Sequence, residues 1–169
     1  MKTKLYLNTF FIISIIGYLF ELLFSFFEKI KKETLLIGPW MPIYGIGFLF
    51  IHFINIKINK LKLSKVKKLL LLFVISFILL SILEEIGGLL TNYLFHQDFW
   101  NYEKYPLSIT KYVNLIFSFI FVTLAIIIEK FLFYRLKPFL LKIPYFITFI
   151  LIFLFILDNV LLFLKYFLR

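Results

Sequence analysis

Glu21 and Glu84 each interrupt a run of residues otherwise suited to hydrocarbon. A carboxylate at a bilayer centre costs at least ~2.5 kcal/mol on insertion scales, so intramembrane acids face a partner or a watery cavity and are candidates for binding a polar substrate. Ser14, Tyr18, Glu21, Ser25 and Glu28 are three or four residues apart, as are Ser81, Glu84, Gly88 and Thr91, so each set forms a polar stripe on one helix face. Glu85 sits one position round. Asn114, Ser118, Ala125 and Glu129 make a third set, in which Glu129 beside Lys130 reads as an interfacial ion pair and Glu28 as a headgroup-level residue. Asp158 has Lys165 two turns away on the same face. The serines, threonines and asparagines read as interhelical hydrogen-bonding groups, with small residues allowing close approach. The acids are open to the same reading.

The stretch "GPWMPIYGIGF", residues 38–48, supplies a second kind of chemistry, that of exposed backbone. A helix can begin at Pro42, because a first-turn proline lacks only an N–H that would have had no partner. The residues before it then enter the membrane non-helically, and the helix start directs unpaired N–H groups and its positive dipole end toward Glu21 and Glu84. Irregular backbone is tolerated at membrane depth where protein or water satisfies it, and broken helices of this kind line substrate sites in transporters. The expected substrate-binding set is therefore Glu21, Glu84, Gly38, Pro39, Pro42, Tyr44 and Gly45, with Trp100 and Tyr102 from the loop "HQDFWNYEKYP" on the same side.

The elements that would position these groups are membrane spans. The 169 residues are 63% hydrophobic and 22% aromatic, with a mean hydropathy of +1.01, beyond the range of soluble domains. Apolar runs of about 20 residues, enough to cross ~30 Å of hydrocarbon at ~1.5 Å per residue, begin near Leu5, Leu69, Tyr112 and Tyr145. A fifth candidate, Tyr44 to Ile56, is cleanly apolar for only about 13 residues, roughly 20 Å, and must borrow its outer end from Gly38 to Pro42. Lys2 and Lys4 ahead of an apolar run have the outline of a signal peptide, but no small-residue cleavage site follows, so the segment is read as a span.

Twelve of the nineteen basic residues cluster at Lys2 and Lys4, in "KINKLKLSKVKK", and at Lys130, Arg135, Lys137 and Lys142. The other seven are Lys29, Lys31, Lys32, Lys104, Lys111, Lys165 and Arg169. The positive-inside rule then orients the chain with its N-terminus in, its C-terminus out, and both unusual loops outside, where Trp40, Trp100, Tyr102 and Tyr105 fit an aromatic belt. The expected fold is all-α, one membrane domain over 1–169: a polytopic bundle of five transmembrane helices, multi-pass in the cell membrane, the second broken or re-entrant at its outer end. The net charge of +10 sits in clusters beside the spans, so its counter-charge is lipid and no nucleic acid is implied.

With no cysteine, disulfides, thiolate metal sites and cysteine nucleophiles are excluded. No Gly-x-x-x-x-Gly-Lys-Ser/Thr occurs, so any ATP hydrolysis belongs to a separate protein. The adjacent Glu84 and Glu85 raise an intramembrane hydrolase, but glutamate-based membrane proteases carry Glu-Glu-x-x-x-Arg and here Leu89 holds the arginine position. His52 and His96 are placed apart from those acids. No metal, cofactor or catalytic residue is expected.

"GYLFELLFSF", "GPWMPIYGIGF" and "EEIGGLLTNYLF" leading to "WNY" together resemble the type IV ABC-transporter permease family, the CmpB-like membrane proteins. The resemblance runs from about residue 10 to residue 129, with 145–167 as an additional span. Its most specific element, Gly-Pro-x-x-Pro-Ile-Tyr-Gly, falls on Gly38, Pro39, Pro42, Ile43, Tyr44 and Gly45. The Gly-Trp-x-x-Glu motif falls on Gly17, Tyr18 and Glu21, with tyrosine for tryptophan, and Glu-x-x-x-Gly on Glu84 and Gly88. Trp-Asp-Tyr-Ser appears as Trp100, Asn101, Tyr102 and Glu103, without the aspartate, and a glycine expected further on is not in place. The resemblance implies a membrane subunit of an ABC-type transporter. Joined to Glu21, Glu84 and the glycine-proline turn, it reads as a permease-like subunit with an outward-facing polar pocket; five spans make a thin pathway, so an oligomer is expected, with a separate ATPase or other membrane subunit. The competing readings are a non-transporting scaffold or assembly factor and, behind it, the glutamate-dependent hydrolase.

Overall fold

The computed structural model describes residues 2–28 and 36–167. Lys29, Lys31, Lys32 and Arg169, used above for orientation, lie outside the described residues, as does the side chain of Glu28. The described chain is helical without strands: α1 (Lys2–Glu28), α2 (Pro42–Asn59), α3 (Lys65–Phe95), α4 (Leu115–Ile127), a π-helical turn (Ile128–Leu132), α5 (Phe133–Lys142) and α6 (Tyr145–Phe167). Helix α2 starts at Pro42, as its fixed φ and missing N–H favour. Ser64, in extended backbone, caps α3 by accepting from the Lys67 amide. Asn114 caps α4 by accepting from the Ile116 and Phe117 amides. His96, left-handed at φ 52°, ends α3 by donating its N–H to the Asn92 carbonyl.

Four helices, Lys2–Phe26, Lys65–Phe95, Leu115–Lys142 and Tyr145–Tyr166, are long and apolar enough to cross a membrane. Their exposed faces are lined by Leu, Ile and Phe, a surface that water would not solvate well. Helix α2 is not one of the four. Its 18 residues would span about 27 Å, and His52, Asn55, Lys57 and Asn59 interrupt its apolar run.

The chain divides into two compact units, residues 1–46 with 136–169, and residues 47–135. In the first, α1 packs on α6. Asn8 is buried there, donating to the Leu140 carbonyl at 2.9 Å and accepting from Thr148 Oγ1 at 2.8 Å, while Lys4 reaches the Leu141 carbonyl. Phe11, Trp40 and Phe155 meet edge to face around one point. In the second unit α3 packs on α4, and the core is Ile51, Ile58, Leu72, Val122 and Ile126.

Candidate functional site

In the first unit the residues of two sequence motifs meet. A Cβ on Gly17 would lie 2.4 Å from Tyr44 Cγ, so the missing side chain is what lets the Tyr44 ring rest on α1. One turn on, Glu21 Oε1 accepts the Tyr44 hydroxyl at 2.5 Å. Gly45 does the same for the helix backbones: its Cβ would lie 2.7 Å from the Phe10 carbonyl oxygen and 2.4 Å from Ser14 Oγ. The Ser14 carbonyl accepts the Met41 amide, tying the non-helical residues ahead of α2 to α1. Gly17, Glu21, Tyr44 and Gly45 are thus one packed contact between α1 and the first turn of α2.

Two amides of the irregular residues 36–41 are satisfied by Asp158, on α6. Asp158 Oδ1 accepts the Ile37 amide at 2.9 Å, and Oδ2 accepts both the Gly38 amide and Trp40 Nε1 at 2.8 Å. Asp158 is 6% exposed. A Cβ on Gly38 would lie 2.1 Å from Trp40 Nε1, so Gly38 is needed for the indole to fold back onto the carboxylate. Pro39 is exposed and Pro42 starts α2. Sequence spacing paired Asp158 with Lys165; only the fold pairs it with residues some 120 positions earlier.

In the second unit Glu84, 9% exposed, accepts from Ser118 Oγ at 2.8 Å, joining α3 to α4. Four residues on, a Cβ on Gly88 would lie 2.2 Å from Tyr112 Cγ. An acid and a glycine one turn apart, with a tyrosine ring on the glycine, therefore occur in each unit. In α1 the order is glycine then acid, and the tyrosine itself meets the acid. In α3 the order is reversed, and the Tyr112 hydroxyl goes instead to Asp98 Oδ1 at 2.7 Å. Glu85 accepts from Thr110 Oγ1.

The loop of residues 96–114 is built on these contacts. Trp100 donates its indole N–H to the Tyr112 carbonyl, and the Tyr102 ring stacks on Phe117 at 5.0 Å. Asn101 Oδ1 accepts the Glu103 amide at 2.8 Å. That turn needs an acceptor and not a charge, and asparagine supplies it.

Asp98 pairs with Lys111 at 2.6 Å and accepts from Asn92 at 2.8 Å. The Lys111 ammonium, followed by the Tyr112 hydroxyl, holds the Asp98 carboxyl below its ordinary range, and Asp98 raises Lys111 in return. A lowered carboxyl contributes stability that is complete above its unfolded value of about 3.9 and lost as pH falls through the folded one. The raised ammonium contributes below about 10.4 and loses that contribution as pH rises through its folded value. The loop is therefore expected to hold across neutral pH and to loosen in acid. Tryptophan quenching by acrylamide should rise below about pH 4 in the wild type, while Asp98→Asn should be more quenched at pH 7 and lack the acid step.

One correction concerns Glu129. Glu129 is not an interfacial partner of Lys130: it is buried, and its carboxylate receives His52 and Asn55, both from α2. His52 is thereby committed to Glu129, and His96 serves as the end of α3.

An all-helical chain with apolar outward faces, buried carboxylates and backbone donors fixed on an acid defines a helical membrane protein. The chain belongs to the family described as Putative ABC-transporter type IV, whose sequence model matches residues 8–163. The match reaches beyond the motif-bearing stretch of 10–129 and takes in most of α6, the helix that carries Asp158. No curated protein and no solved structure matches the chain.

Proposed function

We propose that this chain is a permease-like membrane subunit of an ABC-type transporter, crossing the cell membrane five times with its N-terminus in and its C-terminus out. In this reading α2 supplies the fifth span and its irregular lead-in forms the outer end. The observation that carries the proposal is the convergence of Gly17, Glu21, Tyr44 and Gly45 directly behind non-helical backbone, inside a family described as a transporter component. An acid that meets a phenolic hydroxyl at a helix start is chemistry suited to recognising a polar substrate. Glu84, with Ser118 beside it and the Trp100 and Tyr102 loop on the following segment, is the second candidate contact. The helices leave broad apolar faces for lipid and for further copies or subunits, and ATP hydrolysis is assigned to a separate protein.

A scaffold reading is favoured by a different observation: Glu84 with Ser118, and Asp158 with its three donors, are what acids used only for helix packing look like. One experiment separates the two. The chain has no cysteine, so single cysteines placed beside Glu21 and beside Glu84 report hydration without background. In intact cells a permease is expected to label at both positions with a water-soluble maleimide, and a scaffold to be protected at both. Purification from native membranes in mild detergent should recover an ATPase with the chain. Recovery of no ATPase together with protection at both positions sinks the transport reading.

A further inference from the structure

In the first unit, the end where α1 begins and α5 turns into α6 gathers cations without an acid to balance them. Residues 1–20 and 136–157 contain no aspartate or glutamate, and they carry Lys2, Lys4, Lys137 and Lys142. The next acid along α1 is Glu21, about 25 Å from Lys4, and the next along α6 is Asp158, about 20 Å from Tyr145, at ~1.5 Å per residue.

Lys4 sits at the centre of this end. Half-buried, it donates to the Leu141 carbonyl at 3.0 Å and holds its ammonium 4.5 Å from the centre of the Tyr145 ring. Asn8, one turn further along α1, takes the Leu140 carbonyl. Together they use carbonyls that give the end of α5 its negative character. Both partners of the Lys4 ammonium are neutral, and of its three donors one goes to Leu141, so an outside acceptor can still be received. Lys142 follows Leu141 directly and is exposed. Helix α6 starts at Tyr145 and brings its positive dipole end to the same corner. Everything charged at this corner therefore asks for an anion.

What lies beside the cations says which anion. Phe146, Phe149, Ile150 and Phe153 are all exposed and stand three or four residues apart, so they form an apolar stripe running along α6 away from the corner. Helix α6 is long and apolar enough to cross a membrane. A free phosphate would match the corner and leave the stripe unused, whereas a phospholipid matches both. We propose that Lys4 and Lys142 form a binding site for one anionic phospholipid. Its phosphate oxygens meet the two ammoniums, and an acyl chain lies along Phe146, Phe149 and Phe153. Tyr145 and the Leu141 carbonyl hold Lys4 in place for it.

The test uses the full chain in mild detergent, with bound lipid counted by native mass spectrometry. Dioleoyl phosphatidylglycerol and dioleoyl phosphatidylcholine share their chains and differ in head charge. The wild type should bind the first about tenfold more tightly or better. Lys4→Gln combined with Lys142→Gln should cut that preference by about tenfold, and Lys142→Arg should keep it. Lys60→Gln combined with Lys62→Gln removes the same charge from exposed positions outside the corner, and should cut it by about twofold at most. Equal affinity of the wild type for the two lipids overturns the proposal. So does a Lys60 and Lys62 variant that loses as much as the corner variant. Displacement of the lipid by inorganic phosphate would assign the corner to a free anion and overturns it as well. Where Lys4→Gln fails to fold, Lys142→Gln alone decides, because that side chain is exposed: a several-fold loss of preference supports the site, and wild-type preference overturns it.

Discussion

Asp158→Ala is expected to destabilise the protein more than any other single truncation of a polar side chain in α6. It removes the common acceptor of the Ile37 and Gly38 amides and the Trp40 indole. The buried Trp40 indole N–H left without a partner costs about 1–3 kcal/mol, and the part-buried Ile37 and Gly38 amides, which water reaches in part, add to it, for a total of about 3 kcal/mol. For a chain of this size that corresponds to a fall in thermal midpoint of about 6–12 °C on the soluble-domain scale. Trp40 should report the change directly, because it loses its hydrogen bond and its place between Phe11 and Phe155. Its emission should shift to the red and become open to quenching.

Asp158→Asn separates acceptor geometry from charge. Two donors converge on Oδ2, so whichever way the amide lies, either one or two N–H groups face its NH2 in place of an oxygen. Asparagine should therefore recover only part of the loss. A thermal midpoint for Asp158→Ala within about 2 °C of the wild type, with unchanged tryptophan emission, would remove the anchor from the account of residues 36–41.

The reach of the sequence can be judged from this same carboxylate. Long apolar runs without breakers are enough to place α1, α3, α4 and α6, because a helix satisfies its own backbone and hydropathy is a local property. Pro42 marks the start of α2 for an equally local reason. The stripe of Ser14, Tyr18 and Glu21 is a consequence of helical period alone, and its acid does meet α2.

Pairing across the chain is another matter. Asp158 finds its donors some 120 residues away and Glu129 finds His52 at a separation of 77, and no spacing rule connects such positions. Local rules instead offered Lys165 and Lys130, neighbours whose proximity in sequence carried no pairing with these acids. The π-turn is hidden for a related reason. An extra residue in an apolar helix changes which side chains face inward without changing the composition of the run. The glycine motifs were visible as motifs but not as contacts. What Gly38 accommodates is an indole two residues later, and what Gly17 accommodates is a tyrosine on another helix.

Gly45 and Gly47 turn that last point into a measurement, because two glycines on one helix should answer oppositely to the same substitution. Alanine in a helix interior is favoured over glycine by about 1 kcal/mol, and that gain applies to both. At Gly47 the added methyl would meet Leu80 Cδ2 at 2.7 Å, the far end of a flexible side chain that can turn away. Gly47→Ala should therefore be neutral or mildly stabilising. At Gly45 the methyl would meet the Phe10 carbonyl oxygen, which is backbone, and Ser14 Oγ. The Ser14 hydroxyl can rotate, but the carbonyl cannot yield without parting α1 from the first turn of α2, and that separation would also pull Tyr44 off Gly17 and away from Glu21. Overpacking of this kind costs about 1–3 kcal/mol, and the lost contacts add to it. Gly45→Ala should lower the thermal midpoint by several degrees relative to Gly47→Ala in the same detergent. Equal midpoints for the two variants would mean that α1 and α2 do not approach as closely at Gly45 as the packing around it requires.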